Sequence, residues 1–138
     1  MTYLLDTNLL SEQTKPQPNA GVLAWLEAHS VSDSFISVVT LGEIEQGIVL
    51  LGNTKRARGY GAWLNGVEHE FDGRILSVDR AVMNTWAGIT TEALAAGRTL
   101  GSADSLIAAT ALTHNLSIVT RNTEDFSFVT DDLINPWS

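Results

Sequence analysis

Asp6, Glu43, Asp104, Asn122 and Asp125 have types and neighbours suited to divalent-metal chemistry. Asp6 closes the apolar run Tyr3-Leu4-Leu5, and Asp104 follows Ser102 at a predicted helix start. Asn122 and Asp125 come just after Ile118-Val119-Thr120. Mg²⁺ prefers octahedral oxygen ligands and keeps several waters, so a few carboxylates can hold it against a phosphate. A metal held that way polarises a phosphoryl oxygen and lowers the pKa of a bound water, and a second ion about 3.5–4 Å away would stabilise the leaving oxygen. Carboxylates packed together repel one another unless a cation lies between them. Each acid also has an ordinary reading: Asp6 as a helix cap, Glu43 as a solvated helix residue, Asp104 at the positive end of a helix, Asp125 in a turn. Asn8, Ser102 and Thr120 are candidates to hydrogen-bond the ligands or orient a water, beside ordinary roles in capping and at strand ends. With no cysteine, a thiol nucleophile and thiolate zinc sites are excluded. His29, His69 and His114 fall near predicted helix ends, where solvated or dipole-capping roles are expected.

The elements that must position these residues alternate between strand and helix. Residues 2–5 read as a short buried strand ending at Asp6. Residues 19–28 read as a helix with Val22, Leu23, Trp25 and Leu26 as its apolar positions. A second strand is expected at 34–38. Over 40–51, Leu41, Ile44, Ile48 and Leu51 form one helical stripe, stopped by Gly52-Asn53. A more polar helix follows at 54–70, then a strand at 74–78 and a helix at 81–96 ending at Gly97. Ser102 is read as the cap of a helix running to His114, with Asn115 just beyond its end. A fourth strand is expected at 116–120 and a short fifth in 126–129 or near Ile134. Strands separated by helices imply a parallel sheet covered on both faces. In such sheets the active site lies at the carboxyl ends of the strands. Asp6 and Asn122 fall there directly, and Glu43 and Asp104 fall there if their helices start at that edge.

The chain has 138 residues, which fits one domain over 1–138, and 44% of them are hydrophobic. A chain of this length buries roughly 70% of its unfolded surface, enough for a core without staples. No apolar run approaches the ~18 residues of a membrane span. Met1 leads straight into the first strand, so no signal peptide is read and a bacterial or archaeal cytoplasm is expected. The net charge of −8 speaks against a nucleic-acid binder, because phosphates are normally met by Lys and Arg. Two bound dications would offset half of it. Lys55, Arg56 and Arg58 cluster at the start of one helix and are the first candidates for contact with nucleic acid, beside the ordinary reading of a solvated face. Arg74, Arg80, Arg98 and Arg121 are placed where they could ring the acids.

The acids sit within stretches that resemble a known family. Tyr-Leu-Leu-Asp-Thr-Asn-Leu-Leu-Ser-Glu (3–12) is similar to the first motif of PIN-domain proteins, whose Asp matches Asp6. Ser-Val-Val-Thr-Leu-Gly-Glu-Ile-Glu-Gln-Gly (37–47) resembles the second, with its acid at Glu43 and not Glu45. Ala-Asp-Ser-Leu-Ile-Ala-Ala-Thr-Ala (103–111) resembles the third, with its Asp at Asp104, and Val-Thr-Arg-Asn-Thr-Glu-Asp-Phe (119–126) the fourth. Asn135-Pro136-Trp137 resembles the tail of the subgroup that includes VapC and FitB toxins. The motifs run in order over nearly the whole chain.

The resemblance implies a three-layer α/β/α sandwich with a five-stranded parallel sheet. It implies an endoribonuclease dependent on Mg²⁺ or Mn²⁺, the toxin of a toxin–antitoxin pair, cutting RNA in line with a metal-activated water and leaving a 5′-phosphate. It further implies a homodimer and a cognate antitoxin of the VapB kind that itself binds DNA. Asp6, Asp104 and Glu43 would hold the metal. Many relatives carry Asp where this chain has Asn122, a neutral and weaker ligand, so either Asp125 supplies the fourth acid or a second metal binds weakly and only with substrate. An Arg from a partner could also enter the acidic pocket and pair with its carboxylates. The alternative is a catalytically inactive PIN-like module that only binds. Two other acid-bearing folds fit poorly. A haloacid-dehalogenase phosphatase needs a second Asp where Asn8 stands, and a receiver domain needs a late Lys, whereas no Lys follows Lys55.

Overall fold

The computed structural model describes residues 1–138. Its strands are β1 (Tyr3–Leu5), β2 (Ser34–Ser37), β3 (Ile75–Leu76), β4 (Ser117–Val119) and β5 (Leu133–Ile134). They form one sheet in the order β3-β2-β1-β4-β5, and every pairing is parallel. Side chains along a strand alternate between faces. Tyr3 and Leu5 accordingly enter one core cluster, and Leu4 enters the other.

Seven helices are α1 (Thr7–Glu12), α2 (Ala20–Ala28), α3 (Val38–Leu50), α4 (Lys55–Glu70), α5 (Arg80–Ala95), α6 (Ser102–His114) and α7 (Thr123–Phe126). Leu9, Val22, Ile44 and Leu64, from α1 to α4, close over the Tyr3 and Leu5 face. Ile107, Ala108 and Phe126, from α6 and α7, close over the Leu4 face with Ile118. Against α6 lies α5, tied to it by hydrogen bonds from Trp86 Nε1 to Ser105 Oγ (3.0 Å) and from Thr113 Oγ1 to Thr85 Oγ1 (2.9 Å). The result is the three-layer sandwich with a five-stranded parallel sheet that was expected. No helix is long and apolar enough to cross a membrane.

Local chemistry explains where the elements depart from expectation. Helix α3 begins at Val38, before the apolar stripe, because Ser37 Oγ accepts from Val39 N at 3.0 Å and caps it. Strand β3 keeps only two residues of the expected five, since the chain turns early toward Asp79, whose carboxylate caps α5 through Val82 N. Ser102 is the first residue of α6 and not its cap; Gly101 holds that place without a side-chain bond. Phe126 lies in α7, and the fifth strand forms at Leu133–Ile134, the second of the two expected locations. Asn115 ends α6 in the left-handed conformation (φ 56°), where its short polar side chain is tolerated.

The C-terminal residues fold back onto α2. Asn19 Oδ1 accepts from Gly21 N and Val22 N as the α2 cap, and it also accepts from Ser138 N at 3.3 Å. The Asn19 amide donates to Ser138 O at 3.1 Å. The approach is so close that a Cβ at Gly21 would meet the Pro136 carbonyl oxygen at 2.2 Å. Alanine favours helices over glycine by about 1 kcal/mol. Gly21→Ala should nevertheless destabilise the protein by about 1–3 kcal/mol through this collision. Urea unfolding measures it, and an unchanged or higher midpoint would refute the tight tail contact.

Candidate active site

The strand order reverses direction at β1. From β1 the chain crosses to β2 on one side, whereas β4 pairs with the other side. A crevice opens at such a switch point outside the carboxyl ends of the two strands. Asp6 is the first residue past β1 and Thr120 the first past β4. The Thr120 hydroxyl donates to Asp6 Oδ2 at 2.7 Å and bridges the crevice. The Asn8 amide donates to the same oxygen at 3.1 Å. Thr7 N donates to Asp6 Oδ1 at 2.8 Å, which makes Asp6 the cap of α1. The capping reading of Asp6 and the functional one are therefore compatible. Both lone pairs of Oδ2 are engaged, whereas Oδ1 keeps one free.

Asn8 and Thr120 are themselves held. Asn8 Oδ1 accepts from Arg121 N at 3.3 Å, and Thr120 Oγ1 accepts from Asn122 N at 3.0 Å. Thr120 is fully buried and Asp6 is only 3% exposed. This network locks the carboxylate in one orientation. Burial pushes the Asp6 carboxyl above the usual range, opposed by the hydrogen bonds from Thr120, Thr7 and Asn8, and the Asp125 charge pushes it further.

The remaining acids arrive from other elements. Glu43, in the second turn of α3, accepts from the Thr7 hydroxyl at 2.6 Å, and that hydroxyl also contacts Thr40 Oγ1 at 3.2 Å. Asp104 lies in the first turn of α6. Its carboxyl is pushed up to about 6, first by burial and then by the charges of Asp6, Asp125 and Glu43. Four carboxylates from distant parts of the chain thus share one neighbourhood. None has a basic partner: Lys15–Glu12, at 2.8 Å, is the one ion pair in the molecule. As the side chains are placed, no three acidic or histidine groups converge closely enough to close on a single ion.

The other candidates separate clearly. Asp125 shares a cavity with Asp104, and its charge reaches both Asp104 and Asp6. Asn122 precedes α7, and its side chain makes no cap hydrogen bond. Ser102 lines a neighbouring cavity with Trp86 and Ser105 and not the wall that holds Asp104 and Asp125. From Thr7 and Glu43 a groove runs past Ile44, Ile48 and Trp63 to Tyr60, and Arg56 stands at its far end over the Tyr60 ring (5.6 Å). Lys55 and Arg58 are exposed at the start of α4, with Arg58 bonded to Asn53 Oδ1 at 3.3 Å.

Arg74 does not ring the site. It donates to the carbonyls of Val31, Ser34 and Glu70 at the opposite end of β2, where it fastens loops. His69 and His114 are exposed. His29 is not simply solvated: its ring stacks on Trp25 at 4.1 Å, and Nδ1 lies 2.7 Å from the Trp25 carbonyl oxygen. Sequence reasoning missed the Thr7–Glu43 contact. Its one signal was a hydroxyl directly after Asp6.

Fold and site together define an α/β sandwich with an unneutralised acidic centre at the switch point of its sheet. The model of the PIN domain matches residues 3–130, and the chain belongs to the PIN domain family. It is 38% identical to toxin FitB of Neisseria gonorrhoeae, over 97% of each chain. It is 35% identical to VapC ribonuclease Y4jK of Sinorhizobium fredii, over 97% of this chain and 96% of that one. Among solved structures, FitAcB from Neisseria gonorrhoeae superposes with a TM-score of 0.92 at 38% identity, covering 99% of both chains.

The raised Asp104 carboxyl has a consequence for stability. The folded state holds this proton more tightly than the unfolded state, whose value is near 3.8. Stability should therefore fall as pH rises from 3.8 to about 6, and the full penalty should persist above that window. In chelator-treated protein, Asp104→Asn should raise the urea midpoint near neutral pH and flatten the loss between about pH 4 and pH 6. A variant less stable than the parent near pH 7 would contradict the assigned crowding of charge.

Proposed function

We propose that the chain is a metal-dependent endoribonuclease and the toxin of a toxin–antitoxin pair. The observation that carries this reading is the meeting of Asp6, Glu43, Asp104 and Asp125 at the sheet's switch point with no basic side chain to neutralise them. Buried and crowded carboxylates without a counter-ion suit a hard divalent cation. The donors fit Mg²⁺ or Mn²⁺: all are oxygen ligands, and cysteine is absent from the chain. Asp6 and Asp104 would be the principal ligands, with Glu43 completing the site directly or through water and Asp125 supplying the fourth charge in place of Asn122. Bound there, the ion supplies polarisation of a phosphoryl oxygen and activation of a water for in-line attack on phosphorus.

The chain's own residues prepare that chemistry. Thr120 and Asn8 hold Asp6 so that its free lone pair has one direction. Thr7 fixes one oxygen of Glu43. Rigid placement of this kind lowers the reorganisation needed as charge develops on the phosphate. Arg56, beyond the Glu43 groove, with Lys55 and Arg58 beside it, offers a path for the rest of the RNA.

Relatives named a toxin and a VapC ribonuclease support RNA as the substrate and a small neutralising protein as partner. A similar solved structure, at 36% identity and a TM-score of 0.92, is FitAB bound to a DNA fragment, which supports an antitoxin that binds DNA. An arginine of such an antitoxin, pairing with these acids, would compete with metal and substrate.

Purified protein should cleave structured RNA when Mg²⁺ or Mn²⁺ is added and stop when the ion is chelated. Asp6→Asn and Asp104→Asn should each lower the rate by about two to three orders of magnitude. Gel-resolved cleavage reads both. No cleavage of any RNA with either ion would favour the catalytically inactive binding module.

A further inference from the structure

The connection between α5 and α6 brings a cation to the edge of the acidic centre. Gly97 adopts φ 71° after the end of α5, and Arg98 N bonds back to the Ala93 carbonyl at 2.8 Å. This closure of the helix end aims the chain at α7. The guanidinium of Arg98 lies over the Phe128 ring, with its carbon 4.9 Å from the centroid. Arg98 and Phe128 line a cavity of about 310 Å³ whose other walls include Gly101, Asp104, Glu124 and Asp125.

Four of the other basic groups are committed elsewhere. Lys15 pairs with Glu12, Arg74 binds backbone carbonyls, Arg58 binds Asn53, and Arg121 lies over Trp137. Arg98 shares a cavity wall with two of the acids and faces solvent. A phosphodiester approaching four carboxylates is repelled unless positive charge stands beside them. A guanidinium meets phosphate with a planar fork of donors and retains a flat face for stacking. Single-stranded RNA is commonly read by stacking of unpaired bases on aromatic rings and guanidinium planes. The cavity lies at the small end of ligand sites, which suits a single nucleotide better than a duplex.

We infer that this cavity is a substrate subsite for the nucleotide adjoining the scissile phosphate of single-stranded RNA. Arg98 holds that nucleotide's phosphate, and Phe128 backs the guanidinium plane on which its base stacks. The inference rests on the ribonuclease reading above and adds to it the residues that seat the substrate.

Steady-state cleavage of an unpaired RNA segment by the full-length chain with Mg²⁺ tests it, alongside Arg98→Ala, Arg98→Lys and Phe128→Leu. Arg98→Ala should raise KM about tenfold while kcat changes far less. It should also reduce the slope of log affinity against log salt by about 0.7, the value for one phosphate contact on a single strand. Arg98→Lys should restore the salt slope and only part of KM. Phe128→Leu keeps apolar bulk for folding and should raise KM with the salt slope unchanged. Thermal melting of each variant confirms that it is folded. Wild-type cleavage with KM and salt slope unaltered in Arg98→Ala would overturn the subsite alone. A wild-type chain that neither cleaves nor binds RNA would overturn the subsite together with the ribonuclease reading.

Discussion

Asp6 is a carboxylate held almost wholly out of water at the end of the central strand, and the hydroxyl of Thr120 reaches across the sheet to bind it. A buried ionised group is tolerated only when its charge is met by hydrogen bonds or by an opposite charge. Here the hydrogen bonds come from Thr7, Asn8 and Thr120, and no basic side chain of the protein pairs with the carboxylate. The strand order, the tight entry into α1 and the loop after β4 all serve that one contact. A slip of one residue in the pairing of β1 with β4 would turn Asp6 or Thr120 to the other face.

The same arrangement sets stability against function. Domains of this kind are stable by about 5–15 kcal/mol, so several crowded carboxylates are a sizeable burden. The protein bears it with a core on each face of the sheet, dominated by residues with no measurable exposure such as Leu4, Leu9, Ile36, Ile107 and Ile118. Its basic residues do little to relieve the centre. Arg74 ties loops at the far end of the sheet, Lys15 neutralises Glu12 under the first loop, and Arg121 lies over Trp137. Four of the sixteen acidic residues crowd that centre, and Arg98 is the cation that shares a cavity with two of them.

That distribution reconciles an acidic chain with an anionic substrate. Arg98 over Phe128 shares a cavity with Asp104 and Asp125, and Arg56 over Tyr60 stands at the far end of the groove that starts at Glu43. Both guanidiniums lie against aromatic rings, at 4.9 Å for Arg98 and 5.6 Å for Arg56, which restricts their motion. A phosphate backbone reaching the acids would meet the Arg98 guanidinium at their edge.

Much of this was legible in the sequence, and the division follows from the range of the physics involved. Residue order alone determined the alternation of strands and helices, the apolar stripe of α3, the left-handed stop at Asn115 and the acids at Asp6, Glu43, Asp104 and Asp125, because periodicity, capping and motif spacing act over a few residues. Element limits set by a competing cap, as at Ser37 and Asp79, were less legible, since several nearby side chains could have taken that role. Only the tertiary structure decided that Thr120, 114 positions away, orients Asp6, that Thr7 reaches Glu43, that Ser102 faces another cavity, and that Arg98 and not Arg74 stands beside the acids. Those contacts depend on strand order and side-chain direction across the whole sheet, which no local pattern records.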